Sequence, residues 1–257
     1  MKFTETKIFF DAIKKINKNA KIAYCDIDWT IYRNSLFLDL VDRLIMDWYI
    51  NNNQINKYNK YKTAWKNRQI NYETFLMYAV EIFETLIKKQ KINVNVFKKY
   101  AKEIIKSNGK LVFTYTLNKL KELQKEWFTI IFISGSSIEM VQEFTKLYGF
   151  DIWLGSLTWV DSDWYLNWER VVIASSQAKL DIINNINYYI QPSYVISFGD
   201  TNWDYEMLLN SNYWYAINPT TELYAKIKNN HNISAIIERK DLIIEIPKDA
   251  RNYIDII

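Results

Sequence analysis

The chain has 257 residues, 49% hydrophobic and 24% charged, a globular composition long enough for one large or two small domains with a well-developed core. Its 33 basic and 29 acidic residues leave a dispersed formal charge of +4, too mild to predict a nucleic-acid partner. A single cysteine, Cys25, excludes an internal disulfide and fits a reducing compartment, and a single histidine, His231, excludes histidine triads and multi-histidine metal sites.

The N-terminal MKFTETKIFFDAIKK lacks the apolar core of a signal peptide, and no apolar run reaches membrane-spanning length. The expectation is a soluble cytoplasmic protein with no membrane partner. Residues 5–18 predict a short amphipathic helix, and KIAYCDI (21–27) a buried strand. From 35 to 107 the pattern changes. LFLDLVDRLI, YETFLMYAVEIFETLI and VNVFKKYAKEII space apolar residues at three and four, which predicts an insertion of about four helices. The polar NNNQINKYNKY (51–61) reads as a loop within it.

Strand and helix then alternate. TLNKLKELQKE predicts a helix, FTIIFIS a strand, SIEMVQEFTKLY a helix, and LTWVDSDWYLN a hairpin turning at DSDW. AKLDIINNI follows as a helix, YVISF as a strand, YEMLL as a short helix and YAI as a strand. This order predicts an α/β fold: a Rossmann-like, mostly parallel sheet with helices on both faces. Residues 1–34 and 112–257 would form that core, and 35–111 an inserted all-helical cap.

In open parallel sheets ligands bind beyond the carboxyl ends of the strands, and three predicted strands end in polar signals. The first closes on Asp26-Ile27-Asp28-Trp29-Thr30, whose period-2 spacing puts two carboxylates on one side. The second closes on Ser134-Gly135-Ser136 before a helix, which is either an anion site or an N-cap serine. The third is Gly199-Asp200-Thr201-Asn202-Trp203-Asp204, with two acids four apart. Acids gathered at one edge are costly unless a cation sits among them. Lys179, at the start of a helix, is either a solvated side chain or the counter-charge of an anion site.

Together and in order, these signals resemble the haloacid dehalogenase (HAD) superfamily of phosphohydrolases. Asp26-x-Asp28-x-Thr30 resembles its first motif, Ser134 its second, Lys179 its third and Gly199-Asp200-x-x-x-Asp204 its fourth. The helical block, DWYLNWER and YAINP resemble the phosphoserine-phosphatase-like branch. The resemblance implies a Mg²⁺-dependent phosphomonoesterase acting on a small phosphorylated metabolite through an aspartyl-phosphate. Asp26 would be nucleophile and Asp28 acid/base, with Thr30 orienting the motif; Ser134, Gly135 and Lys179 would hold the phosphoryl group. Asp26, the Asp28 backbone carbonyl, Asp200 and Asp204 would hold Mg²⁺. Two departures leave the substrate open beyond that class. Arg33-Asn34-Ser35 stands where phosphoserine phosphatases carry an acid, and Ser134-Gly135-Ser136 replaces serine-glycine-glycine. Arg33 could meet a substrate anion or form a salt bridge at the cap hinge. The alternative function is an inactive HAD-like scaffold that binds a phosphorylated ligand or a protein.

The chain has 5 glycines and 10 tryptophans, against roughly 18 glycines at average usage. Trp29, Trp48, Trp127, Trp164, Trp168 and Trp203 stand where turns, a helix end or the HAD motifs ask for glycine. Either the protein is simply tryptophan-rich, or these are UGA codons that its source reads as glycine, in keeping with the Asn-, Ile- and Lys-rich composition of an AT-rich genome. Trp65, within a cap helix, would be a true tryptophan. Recoded positions should show positive φ or tryptophans left exposed in turns.

Overall fold

The computed structural model describes residues 2–47 and 51–247. A 3-10 turn (Phe3–Glu5) leads into α1 (Lys7–Ile13), whose N-cap Thr6 accepts from the Phe9 N–H. This helix is shorter than predicted, because Asn17-Lys18-Asn19 carries a turn with Asn19 left-handed. Strand β1 (Lys21–Cys25) is buried from Ile22 onward and stops before Asp26, so both motif acids lie beyond the sheet edge.

Four helices follow, as expected: α2 (Leu36–Asp47), α3 (Asn52–Lys66), α4 (Tyr72–Lys89) and α5 (Val94–Asn108). The loop predicted over 51–61 is instead most of α3. Asn51 caps it by accepting from the Gln54 N–H at 2.9 Å. Its inner face is built from Ile55, Tyr58, Tyr61 and Trp65, a helical spacing masked by the Asn and Lys residues between them.

The remainder alternates: α6 (Thr114–Lys125), β2 (Phe128–Ser137), α7 (Ile138–Leu147), β3 (Ile152–Val160), β4 (Leu166–Val171), α8 (Ser176–Ile190), β5 (Tyr194–Gly199), α9 (Tyr205–Leu209), β6 (Tyr213–Ile217), α10 (Thr221–Ile227), β7 (Ile233–Arg239) and β8 (Leu242–Ile246). The last three elements extend the pattern beyond the sequence reading. The sheet order is β4-β3-β2-β1-β5-β6-β7-β8, parallel except for the antiparallel edge strands β4 and β8. β1 lies between β2 and β5, and the chain leaves it in opposite directions, which is where a crevice opens in such sheets.

Side-chain alternation divides the interior. Ala23, Cys25, Ile130 and Phe132 face a core shared with Phe37, Leu40, Phe83 and Phe97 of the helical block. Ile22, Tyr24, Ile131 and Ile133 face the other core, with Phe9 of α1 and Ile182, Ile183 and Ile186 of α8. The block therefore packs on one sheet face as part of a continuous apolar core.

The two connections to the block run side by side. Arg33 N–H donates to the Leu111 carbonyl at 2.8 Å, and Phe113 N–H to the Ile31 carbonyl at 2.8 Å. The fully buried Glu238 carboxylate of β7 reaches this point. It accepts from Thr114 N–H (2.9 Å) and Tyr115 N–H (2.8 Å) at the start of α6, and from Arg33 Nη2 (2.6 Å). Of the two roles open to Arg33, the structure assigns the hinge salt bridge. Replacing Glu238 with alanine strands two helix N–H groups and the guanidinium. We expect a loss of about 1–3 kcal/mol in urea unfolding, the lower part of the range reflecting screening at the half-exposed Arg33.

Candidate active site

Beyond the carboxyl ends of β1 and β5, three acids converge. Carboxylate oxygens of Asp26, Asp200 and Asp204 lie within 4.8 Å of one another, and all three residues are buried. Asp26 N–H is fixed by the Phe198 carbonyl at 3.1 Å, which locks the loop after β1 to β5. Asp204 reaches back because position 199 is glycine: a Cβ there would stand 2.4 Å from Asp204 Cβ. Its Oδ2 accepts from the N–H groups of Asp200 (3.1 Å) and Thr201 (3.2 Å).

Lys179, in the first turn of α8, is no solvated side chain. It is 3% exposed, and its Nζ lies 2.6 Å from Asp26 Oδ1 and 2.6 Å from Asp204 Oδ1. Burial works against its charge, but Asp204 and Asp26 outweigh burial and hold the ammonium protonated well above its ordinary range. One lysine does not neutralise the cluster. Burial pushes Asp26 up to about 8 against the pull of Lys179, and burial with the Asp204 and Asp26 charges pushes Asp200 well above the usual carboxylate range.

Asp28 stands apart from the triad. Its Oδ2 accepts from Ser136 Oγ (2.7 Å) and Ser134 Oγ (3.3 Å), and its Oδ1 from the Leu36 N–H (2.6 Å). Burial raises it to about 6, moderated by the Ser136 and Leu36 hydrogen bonds. Ser134 therefore does not cap a helix: its Oγ accepts from the Ser136 N–H (3.1 Å) and donates to Asp28, and the strand runs on to Ser137. Thr30 is wholly buried and donates to Asp200 Oδ1 at 3.3 Å, tying the first loop to the third. Ser136 is the residue the sequence reading missed; within Ser134-Gly135-Ser136 only the first hydroxyl drew attention.

These groups floor a pocket lined by Asp26, Asp28, Gly135, Ser136, Lys179, Asp200 and Asp204. Phe37 of α2 and Tyr72, Leu76 and Val80 of α4 form its apolar wall, with Trp29, Trp203 and Arg170. The aromatic side is continuous: Trp29 meets Trp65 and Tyr72 edge-on at 6.0 and 6.3 Å, and Tyr72 meets Trp203 at 6.3 Å. Trp29 has φ 63°, in the left-handed region, with its N–H donating to Tyr32 O at 2.8 Å.

The donor set suits a hard divalent cation. It is all-oxygen, buried and short of positive charge, which favours Mg²⁺ over zinc. Of the groups expected around Mg²⁺, the carboxylates of Asp26, Asp200 and Asp204 converge, and the carboxylate of Asp28, expected there only through its backbone carbonyl, is held by Ser136.

No protein-family model and no curated protein matches this sequence. Solved structures do match. A phosphoserine phosphatase caught as an analogue of its phospho-aspartyl intermediate is 18% identical, with a TM-score of 0.58 over 93% of this chain and 100% of that one. A HAD family hydrolase from Salmonella enterica serovar Typhi is 14% identical, with a TM-score of 0.56 over 83% of this chain and 68% of that one. A protein of unknown function from Bordetella pertussis Tohama I is 9% identical, with a TM-score of 0.65 over 86% of this chain and 99% of that one. At these identities the likeness shows the fold, which is that of HAD family hydrolases and phosphoserine phosphatases. Among the described residues, no helix is long and apolar enough to cross a membrane.

The raised acids make cation binding and pH interdependent. Asp26 and Asp28 rise from 3.8 to about 8 and about 6, so the metal-free fold binds protons more tightly than the unfolded chain. Its stability should fall as pH climbs from about 4 through about 8. A divalent cation opposes that loss. Mg²⁺ at a hundredfold excess over its Kd should raise the melting temperature by roughly 5–10 °C at pH 8 and by clearly less at pH 5. Scanning calorimetry with Mg²⁺ against EDTA measures both.

Proposed function

We propose that the protein is a Mg²⁺-dependent phosphatase that hydrolyses a small phosphomonoester through an aspartyl-phosphate on Asp26. The observation that carries this reading is the pairing of a lysine-held carboxylate, Asp26, with a separately held acid, Asp28, on the floor of one pocket. Two acids in different surroundings suit different roles.

Asp26 would attack phosphorus, with Lys179 fixing its Oδ1 and drawing charge from the phosphoryl oxygens. The ester oxygen would leave with the proton of Asp28. That carboxylate would then take a proton from the water that attacks the aspartyl-phosphate, releasing phosphate and restoring both acids. A group pushed up to about 6 is matched to that exchange near neutral pH. The hydroxyls of Ser136 and Ser134 and the Leu36 N–H keep Asp28 aimed across the pocket. Thr30 would keep the first and third loops in register. Gly135 lets this loop pack against Ala174, since a Cβ there would stand 2.7 Å from Ala174 Cβ, and its backbone would border the phosphoryl group. Bound by Asp26, Asp200, Asp204 and the Asp28 carbonyl, Mg²⁺ would supply the positive charge that lets an anionic nucleophile meet an anionic phosphate.

Residues 35–111 would serve as the cap, because α2 and α4 supply the wall that excludes water and selects the substrate. The second reading, a scaffold that binds a phosphorylated ligand without turnover, draws on Trp29, whose indole lines the same pocket.

A screen of phosphomonoesters with Mg²⁺ against EDTA separates the two. Hydrolysis should require Mg²⁺ and vanish in Asp26→Asn. Asp28→Asn should lower kcat about 10²–10⁴-fold. If neither the chain nor its Trp29→Gly variant cleaves any ester, the scaffold reading stands.

A further inference from the structure

Lys179 and Arg170 are the two cationic residues that line the pocket. The charge of Lys179 is taken up by Asp26 and Asp204. That of Arg170 is not taken up in the same way. Arg170 lies on β4 opposite Thr158, and its side chain is only 13% exposed. Its guanidinium rests over the Phe83 ring at 4.8 Å. The nearest carboxylate, Glu84, lies 3.8 Å from Nη1, beyond hydrogen-bond length, and Nε is buried with no partner. Leu76, Val80, Val172 and Ala174 line the same pocket. A guanidinium withdrawn from water into such a wall is costly unless an anion meets it, and its planar fork matches a carboxylate or phosphate.

We infer that Arg170 binds a second anionic group of the substrate, which makes the substrate a small phosphomonoester carrying a carboxylate or second phosphate a few bonds from the ester oxygen. This inference rests on the phosphatase reading above. Lys179 with its acids and Arg170 then line one pocket together with the apolar side chains of Leu76, Val80, Val172 and Ala174.

Three esters built on three-carbon chains test it: propyl phosphate, 3-(phosphonooxy)propanoate and propane-1,3-diyl bisphosphate. One or both anionic esters should exceed propyl phosphate by about tenfold or more in kcat/KM, chiefly through KM; which one does so identifies the anion. Arg170→Met should bring that ratio to about one, and Arg170→Lys should restore part of it. Equal turnover of all three, or a ratio unmoved in Arg170→Met, overturns the assignment while leaving the phosphatase intact. Cleavage of none of the three overturns the assignment, and cleavage of no ester in the phosphomonoester screen by either the chain or its Trp29→Gly variant overturns the phosphatase reading as well.

A separate observation concerns the tryptophans. Among the described residues, eight non-glycine positions have left-handed backbone, and three are tryptophan: Trp29 (φ 63°), Trp127 (φ 67°) and Trp164 (φ 66°). The others are Asn, Gln, Lys and Arg, and only one glycine, Gly149, has positive φ. Trp127 directly follows the C-cap of α6, the position glycine favours, and is 88% exposed. Trp164 closes the β3–β4 turn, its N–H on the Asp161 carbonyl at 3.2 Å, and is 61% exposed. An indole there is strained and covers nothing.

The geometry points to glycine at positions 29, 127 and 164 in the protein the source cell makes, from codons decoded as glycine. Trp203 lies in a 3-10 turn and Trp168 in β4, neither with left-handed backbone, and Trp48 lies outside the described residues. Trp65 stacks on Phe75 at 5.1 Å, as a true tryptophan would. Glycine at 29 would open the pocket wall. The gene should carry UGA at all three positions, and peptides of the native protein should show glycine by mass spectrometry. UGG codons there, or tryptophan in those peptides, overturn the inference.

Discussion

The ammonium of Lys179 sits between Asp26 and Asp204, and the carboxyl edge of the sheet is organised around that contact. Two carboxylates at hydrogen-bond distance from one buried cation leave a third, Asp200, without a compensating charge of its own. The deficit is structural as much as chemical. β1 and β5 are hydrogen-bonded neighbours, so their terminal loops cannot separate the acids. The α8 crossover returns the lysine to the gap. The protein thus carries a concentration of like charge in its interior that only a proton or a further cation relieves.

Around this centre the surroundings divide the work. Neutral donors, two serine hydroxyls and a backbone N–H, hold Asp28, whereas a charged donor holds Asp26. Burial raises both, and Asp26 rises further than Asp28 despite the pull of Lys179, with repulsion from Asp204 and Asp28 added, so carboxylates two residues apart acquire different proton affinities. The apolar wall is contributed by a different part of the chain, α2 and α4, so under the proposed phosphatase reading the two parts of the pocket could change independently. That separation is one physical reason a single α/β scaffold can serve many substrates.

Much of this was legible in the sequence because it rests on local signals. Strand ends are marked by a shift from Ile and Phe to Asp, Ser and Gly, and helix-strand alternation brings those ends to one edge. What stayed hidden depends on distant partners. Arg33 is fixed by Glu238, 205 positions away, and no local pattern links the two. Arg170 looks like an ordinary hairpin residue until α4 folds against it. Helix α3 was obscured because Asn and Lys separate its packing residues, and Ser136 because its hydroxyl serves an acid 108 positions earlier. Trp164 stands out by its turn, Trp127 by its helix end and Trp29 by the motif it resembles, and the backbone of all three is left-handed.

Ile31 and Arg33 are hydrogen-bonded to Phe113 and Leu111, so the insertion begins and ends at almost the same point in space. To the sheet, the whole helical block is topologically a short loop. Lengthening it far from that point adds no span to be closed, and closure entropy grows only slowly with the length enclosed. Such an arrangement lends itself to exchange: a block of different size or sequence could be grafted onto the same pair of attachment strands, provided that it offers the sheet an apolar face of the same shape.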